Sequence, residues 1–496
     1  MIRGSDPKRT LDALFINTPL KNYDVQPRLN DFTLPVLGLG YIATYAAREG
    51  FNVGVIDAEA DGLGVSAICE AVSKAKPRWV GLNLLAPTYE LSVAVLRQLD
   101  PEIRVVLGGH QAKAMPREIL TDLRIPRIDA LITGEGEPRC AALLADVGRR
   151  MTLPGIWYRE NGKAVLSQAR DCGDSAQWTA PDINNLPIVD RKYFSQDPFV
   201  TADGGIEANL VGSRGCPYDC SFCGAAKSAN PDITIRTRNP DSLLEEMFRL
   251  SEEYQINAFR FVDDLFLANP SFMNRCLKEF IKRGVGDRFV WDATGRINVL
   301  SRAPDALLDL IKEAGCREVA LGIESGSERV LKYIDKHITP AMTLTAVERL
   351  TARGINVKGY VIMGFPTESE RELRDTYAHV ENLWRVADRN EGSFRCSVFE
   401  FRPYPGTPEW NRLLATGKYR ASQLLDYEHV DLTDGGAARA MLERDEFNFS
   451  VGIQFGEAPL ELVRRLLRDL MQRQQQRTSR TVKVANSSIN HDALVR

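Results

Sequence analysis

Long apolar runs are missing from this 496-residue chain. No stretch of about 18 apolar residues occurs, so no membrane-spanning helix is expected. A dominant charge sign is missing too. Lys and Arg total 63 against 66 Asp and Glu, a formal net charge of -3. That balance argues against a dedicated nucleic-acid binder, whose surface is usually strongly basic. The opening segment Met1–Thr10 is polar and lacks the apolar core of a signal peptide, so a cytoplasmic location is expected. Cysteine is sparse and odd in number, nine in all, which excludes a disulfide framework from the expectation. Six of the nine, Cys69, Cys140, Cys172, Cys276, Cys316 and Cys396, are scattered singly and read as small buried apolar residues.

What is present is ordinary globular composition, 44% hydrophobic and 26% charged. At about 150 residues per domain the length suggests three domains. From Leu11 to Thr133, short apolar runs alternate with helical patterns. Strands are expected at Leu11–Asn17, Phe51–Asp57, Trp79–Leu85, Arg104–Leu107 and Ala130–Thr133. Helices are expected at Leu37–Glu49, Val65–Lys74 and Leu91–Leu99. Nearly continuous apolar strands alternating with helices mark a parallel sheet covered on both faces, a doubly wound, flavodoxin-like domain. Such sheets bind ligands beyond the carboxyl ends of their strands. The residues there are Asn17, Asn83, Gly108-Gly109-His110 and Gly134-Glu135-Gly136-Glu137. They read either as a ligand cradle or as tight strand-to-helix turns.

The remaining three cysteines, Cys216, Cys220 and Cys223, sit within eight residues in a glycine-flanked loop after the apolar run Ile206–Val211. The spacing is Cys-x3-Cys-x2-Cys. Three local thiolates hold three irons of a cubane and leave the fourth open to a small chelating ligand. Zinc also takes thiolates, but usually in paired Cys-x2-Cys units, and neither a second pair nor a nearby histidine occurs.

Downstream, strand-like runs alternate with amphipathic helices expected at Leu243–Tyr254, Phe272–Arg283, Asp305–Ala314 and Thr343–Arg353. The strands are Phe259–Asp264, Phe289–Thr294, Glu318–Gly326, Val357–Gly364 and Cys396–Phe401. Units of this kind build a parallel barrel, closed or partial, with chemistry at the strand carboxyl ends. Asp263, Asp264, Asp292 and Glu400 are carboxylates at or near such ends. They would suit a cationic substrate such as an amino sugar.

The segments Asn17-Thr18-Pro19, Pro35–Ala43, Leu107–His110 and Thr133–Glu137 resemble the B12-binding domain that precedes many radical S-adenosylmethionine (SAM) enzymes. The cysteine loop and the strands after it resemble the radical SAM superfamily itself, over residues 10–410. The resemblance implies a B12-binding-like domain at 10–150, a linker with a small hairpin at 151–200 and a partial six-stranded radical SAM barrel at 201–408. A C-terminal cap region at 409–475 with some helix follows, and then a disordered tail at 476–496. It implies a 4Fe–4S cluster on Cys216, Cys220 and Cys223, with SAM on its open iron. Cobalamin would be bound by Asn17, Asn83, Gly108, Gly109, His110, Gly134 and Glu135. The usual cobalt-ligating histidine motif is absent, since Asp57–Gly62 contains no histidine. Phe222, Arg296, Glu324 and Gly364 match SAM-contacting positions, and Asp263, Asp264 and Glu400 are candidate catalytic groups.

The implied activity is reductive cleavage of SAM and hydrogen abstraction from a polar small molecule, in natural-product or antibiotic biosynthesis. Cobalamin-dependent methyl transfer leads, and cobalamin-free radical dehydration of a diol, as in an aminoglycoside, is the alternative. Oxidation and ring formation are other outcomes among relatives. An electron donor such as flavodoxin or an NAD(P)H-dependent reductase is the expected partner. A cofactor-binding sensor is the competing class, but it would need neither an open iron nor Glu324.

Overall fold

The computed structural model describes residues 1–28, 35–168, 175–194, 199–200, 205–429 and 449–492. The chain divides into two compact units. One holds Met1–Asp264 and Pro403–Leu425, the other Leu265–Arg402 and Asp426–Arg496.

The first unit opens with a seven-stranded sheet. Its strands are β1 (Ala13–Asn17), β2 (Val53–Asp57), β3 (Trp79–Asn83), β4 (Arg104–Gly108), β5 (Ala130–Ile132), β6 (Ile156–Glu160) and β7 (Lys163–Leu166), in the order β2-β1-β3-β4-β5-β6-β7. Pairs from β2 to β5 are parallel, and β6 and β7 add antiparallel. The parallel strands are buried almost throughout, which is why they read as continuous apolar runs. The hairpin expected in the linker is thus part of the sheet. Its Ile156 and Tyr158 are buried because they extend the same core.

Helix Leu37–Arg48 carries the linker on its outer side. Leu37 and Tyr41 pack with Val189 and Phe194, and a Cβ at Gly40 would stand 2.2 Å from the Phe194 ring. Only glycine permits that approach.

Within the same unit, β8 (Phe199–Val200) pairs antiparallel with β9 (Ile206–Leu210), and β9 pairs parallel with β12 (Ala258–Phe261). Between them lies the cysteine loop, flanked by the two-residue ladder of β10 (Ser213–Arg214) and β11 (Arg236–Thr237).

The second unit carries four strands, β13 (Val290–Gly295), β14 (Cys316–Glu324), β15 (Asn356–Met363) and β16 (Phe394–Glu400), all parallel to their neighbours. The fold class is the expected one, a flavodoxin-like domain followed by the parallel β/α units of a partial barrel.

The C-terminal helix differs from the expectation. It runs Leu460–Asp492, through most of the stretch expected to be disordered. That stretch lacks proline and glycine up to Asp492, so nothing local ends the helix once packing has started it. The helix packs on β16 and on helix Glu370–Ala387. Gln474 Oε1 accepts from the Cys396 backbone N–H at 2.9 Å and from Trp384 Nε1 at 3.1 Å. It thereby satisfies an N–H of β16 that its ladder with β15 does not use. Part of the polar stretch 419–449 lies outside the described residues, as do the last four positions.

Replacing Gln474 with Ala leaves two buried donors without that acceptor. At about 1–3 kcal/mol for such a loss, the variant should unfold at lower denaturant with an unchanged slope. An unaltered midpoint in a denaturant titration would show that the contact contributes nothing.

Candidate functional site

In the first unit a cavity of about 510 Å³ opens at the carboxyl ends of β3, β4 and β5. It reaches inward past Leu39, Gly81 and Val106 to Phe15 and Cys140. Asn83, Gly108, Gly109, His110, Gly134 and Glu135 all line it. Asn17 does not. Its amide donates to Asp57 Oδ1 at 2.9 Å, holding the ends of β1 and β2 together. The segment after Asp57 is likewise committed. Glu59 accepts from the Leu20 N–H and the Tyr23 hydroxyl.

Gly108 and Gly109 differ in kind. Gly109 has φ +95°, and a Cβ there would lie 2.3 Å from Asn83 Oδ1. At Gly108 a Cβ would meet only the Ile132 carbonyl, at 3.9 Å. Gly109 is required by the backbone, whereas Gly108 leaves the cavity open.

The far wall of the cavity is the cysteine loop, through Gly215, Cys216, Gly224 and Ala225. Three fastenings hold that loop. Before it, Asp263 accepts from the Gly212 N–H at 2.8 Å and from Ser213 Oγ at 2.7 Å. Within it, the Ser221 hydroxyl donates to Glu409 Oε2 at 3.1 Å, and the Glu409 N–H donates to the Ser221 carbonyl. After it, Asn230 donates to the carbonyls of Gly224 and Ala226 and accepts from Lys113. The chain's own side chains therefore shape the loop. Burial pushes the Asp263 carboxyl up to about 7 against the pull of its Ser213 and Gly212 donors.

Both carboxylates after β12 line the cavity, Asp263 with its oxygens taken by Gly212 and Ser213, and beside it Asp264. Burial raises the pKa of Asp264, and the His110 charge and the Gly215 N–H oppose the rise. His110 is lowered by burial, with Asp264 working the other way and Lys113 reinforcing it. The imidazole's own surface is open although protein surrounds it, because it stands in the cavity.

The donor chemistry suits a cluster. Cys220 is buried, Cys216 and Cys223 are half-buried, and the Ala225 N–H points at Cys223 Sγ at 3.4 Å, a contact that favours thiolate. Among the described residues no three His, Cys, Asp or Glu side chains converge on a single-ion position. A cubane needs no such convergence, because each thiolate takes a different iron. The cavity, deep and apolar below and glycine-lined above, likewise suits a large ring with a tail running into the sheet. Phe222 is half-buried and lies outside the cavity.

In the second unit Arg296, Glu324, Gly364 and Glu400 all stand at carboxyl ends of parallel strands. Three of them meet different fates. Glu324 is buried, adopts φ +62°, and pairs with Lys336 Nζ at 2.6 Å. A non-glycine residue held in that region signals a constrained position. Arg296 donates to the Lys336 carbonyl, so Arg296, Lys336 and Glu324 form one cluster. Glu400 is instead tied to Arg464 at 2.8 Å and to Ser450. Asp292 is gripped by Arg317 at 2.6 and 2.9 Å. Neither is a bare acidic group, which removes two of the four carboxylates expected to receive a cationic substrate.

Family models match at both ends of this arrangement, "B12 binding domain" over residues 31–144 and "Radical SAM superfamily" over residues 210–380. An uncharacterized methyltransferase of Pyrococcus horikoshii is 30% identical over 406 residues, 79% of this chain and 83% of its own length. The chain belongs to the B12-domain-bearing radical SAM enzymes. As such it is an enzyme; the radical SAM model implies a 4Fe–4S cluster and SAM, and the B12-binding model implies cobalamin. The anaerobic magnesium-protoporphyrin IX monomethyl ester cyclase of Rubrivivax gelatinosus is 27% identical over 355 residues, 69% of this chain and 61% of its own. The structure of the radical SAM methyltransferase TsrM from Kitasatospora setae, with cobalamin and cluster bound, matches with a TM-score of 0.60 at 18% identity. The match spans 84% of this radical SAM chain and 77% of TsrM, and it is a likeness of fold.

Sequence reasoning passed over Arg214, Lys113, Asn230, Glu409 and Lys336. No local motif marks them. Arg214 alone carried a hint, as a charge two residues before Cys216.

The glycine pair gives a test. Gly108→Leu should fill the cavity without backbone strain and abolish retention of added hydroxocobalamin, with thermal stability near wild type. Gly109→Ala should instead lower the melting temperature, since it forces Cβ into Asn83. Cobalamin bound normally by Gly108→Leu would place the corrin elsewhere.

Proposed function

We propose that this enzyme methylates an unactivated carbon of a polar small molecule in a cobalamin-dependent radical reaction, in natural-product biosynthesis. The observation that carries the reading is the shared cavity. Strand ends of the B12-binding domain form one wall and the Cys216 loop forms the other, within one compact unit. Two cofactors that must act on one substrate need such a common space.

Bound there, the cluster supplies the electron that splits SAM into methionine and a 5'-deoxyadenosyl radical, and cobalamin supplies the methyl group. The chain's own residues bind and orient. SAM's methionine end carries an amino group and a carboxylate. Glu324 and Lys336 present an acceptor and a donor at the end of β14. Glu324 would accept from the amino N–H and Lys336 would donate to the carboxylate, so both members of the existing pair would turn to SAM. Asp264 and His110 are left to meet the substrate's polar groups. Electrons come from a flavodoxin or an NAD(P)H-dependent reductase. Dehydration of an amino-sugar diol loses support, because Asp292 and Glu400 are already matched by Arg317 and Arg464.

Anaerobic protein reconstituted with iron, sulfide and hydroxocobalamin should show both cofactors in one optical spectrum. Replacing Cys216, Cys220 and Cys223 together with Ala should remove the cluster absorption and all 5'-deoxyadenosine, with the fold kept. Iron retained at about four per chain in that variant contradicts the assignment. Wild-type protein that never holds cobalamin would return the lead to cobalamin-free chemistry.

Glu324→Gln keeps the shape and removes the charge. A charge-assisted hydrogen bond is worth roughly 1.5–3 kcal/mol, so SAM affinity should fall about tenfold to a hundredfold with the cluster intact. The change also strands the Lys336 ammonium, so a lower melting temperature should accompany it. Unchanged affinity would remove Glu324 from the SAM site.

A further inference from the structure

Arg214 belongs to β10, two residues before Cys216. Its guanidinium does not stay with the cysteine loop. One nitrogen donates to Glu135 Oε2 at 2.7 Å and another to Glu137 Oε1 at 2.7 Å. Its Cζ lies 4.9 Å from the centre of the Tyr41 ring. Glu135 and Glu137 follow β5, and Tyr41 lies on the first helix, so all three partners belong to the B12-binding domain.

Arg236, opposite Arg214 in the β10–β11 ladder, binds Glu135 as well and also the Pro181 carbonyl of the linker. The Arg214 side chain and both carboxylates are largely buried. Burial works against the Arg214 charge, and Glu137 and Glu135 more than offset it, so its pKa is raised. A planar fork spread over two carboxylates fixes direction as well as distance, which a lysine ammonium cannot do.

We infer that Arg214 is a positioning residue that sets the cluster-bearing loop against the corrin-binding strand ends, and so fixes the cobalt–cluster separation. The inference rests on the cobalamin-dependent reading above. Glu135, taken from the sequence as a cofactor contact, is the anchor of this clamp. The fastenings by Asp263 and Glu409 shape the loop itself. Arg214, Arg236 and the Lys113–Asn230 contact tie it to the other wall. Arg236 forks onto the single carboxylate of Glu135, and Arg214 spreads its fork over both Glu135 and Glu137.

The test uses the full chain with iron, sulfide and hydroxocobalamin loaded anaerobically. Its variants are Arg214→Lys, which keeps the charge and loses the fork, and Glu137→Gln, which loosens one prong. The first readout needs no turnover. A reduced cluster shortens the spin relaxation of nearby cob(II)alamin, and the microwave power that half-saturates the cobalt signal reports the separation. With iron and cobalamin contents unchanged, that enhancement should drop clearly in Arg214→Lys and less in Glu137→Gln.

The second readout compares two fates of SAM. One is S-adenosylhomocysteine, left when the methyl group goes to reduced cobalamin. The sulfur keeps the S–C bond pair, and cobalt, reduced by added titanium(III), supplies the pair for the new bond. The other fate is 5'-deoxyadenosine. It forms when one electron from titanium(III) passes through the cluster to break the S–C5' bond, methionine leaves, and the 5'-carbon radical takes a hydrogen atom from substrate or buffer. Cobalt has no part in it. In Arg214→Lys the first rate should fall by about tenfold to a hundredfold, as a displacement of about 1 Å can cost, while the second stays within about twofold. A merely structural role would lower both together.

Wild-type relaxation in both variants overturns the inference, and so does an equal loss of both SAM products. If Arg214→Lys fails to fold, Glu137→Gln decides by the same readouts. Wild-type protein that holds no cobalamin overturns the methyl-transfer reading instead, and the clamp's role with it.

Discussion

Strands that run parallel release the chain at one common edge, and in each unit that edge carries the chemistry. β3, β4 and β5 end in Asn83, Gly108-Gly109-His110 and Gly134-Glu135, and β12 ends beside Asp263 and Asp264. In the second unit β13 to β16 end beside Arg296, Glu324, Gly364 and Glu400. The constraint is physical. A parallel strand must return by a crossover, so its amino end is committed to packing and its carboxyl end is free to vary. Everything else in the site depends on that sorting.

Charges gathered at one edge must be neutralised, and here they are matched in sets. Arg214 and Arg236 meet Glu135 and Glu137, Lys336 meets Glu324, and Arg464 meets Glu400, whereas Asp292, expected at a strand end, is the third residue of β13 and meets Arg317 near the strands' amino ends. Taking both partners out of water costs more than a lone contact returns unless the geometry is good. These pairs are accordingly short, and several are forked. Their worth is more in fixing register than in stability. The expectation of an acidic substrate pocket lost Asp292 and Glu400 at this point, while Asp263 and Asp264 line the cavity. Counting carboxylates at strand ends says nothing about which are already paired.

The fold was legible because apolar periodicity and strand order are local signals. Every parallel strand from β1 to β5 and from β13 to β16 begins and ends within a few residues of its expected place. Helix starts were read late for one reason. Asn239-Pro240, Asn269-Pro270 and Thr339-Pro340 each open a helix with a capping side chain followed by proline, two or three residues before the first apolar repeat. The cysteine loop was legible from spacing alone. Its fastenings were not. Ser221 meets Glu409 across 188 residues of sequence and Arg214 meets Glu135 across 79. No window on the chain relates such pairs. Asn17 misled for a similar reason. It stands at a strand end, but its amide is taken by the neighbouring strand's Asp57.

At Glu324 sequence position and backbone geometry meet. Its sequence position only placed a carboxylate at a strand end. The backbone adds that the strand breaks register between Gly322 and Glu324 and that Glu324 holds a positive φ. Both features turn the side chain out of the regular alternation, and a β-bulge of this kind re-aims a residue at some cost. A surface carboxylate would not sustain that cost, and a core ion pair could be made without it. The strain marks Glu324 as a position fixed by its surroundings, with Lys336 holding the carboxylate at the strand end.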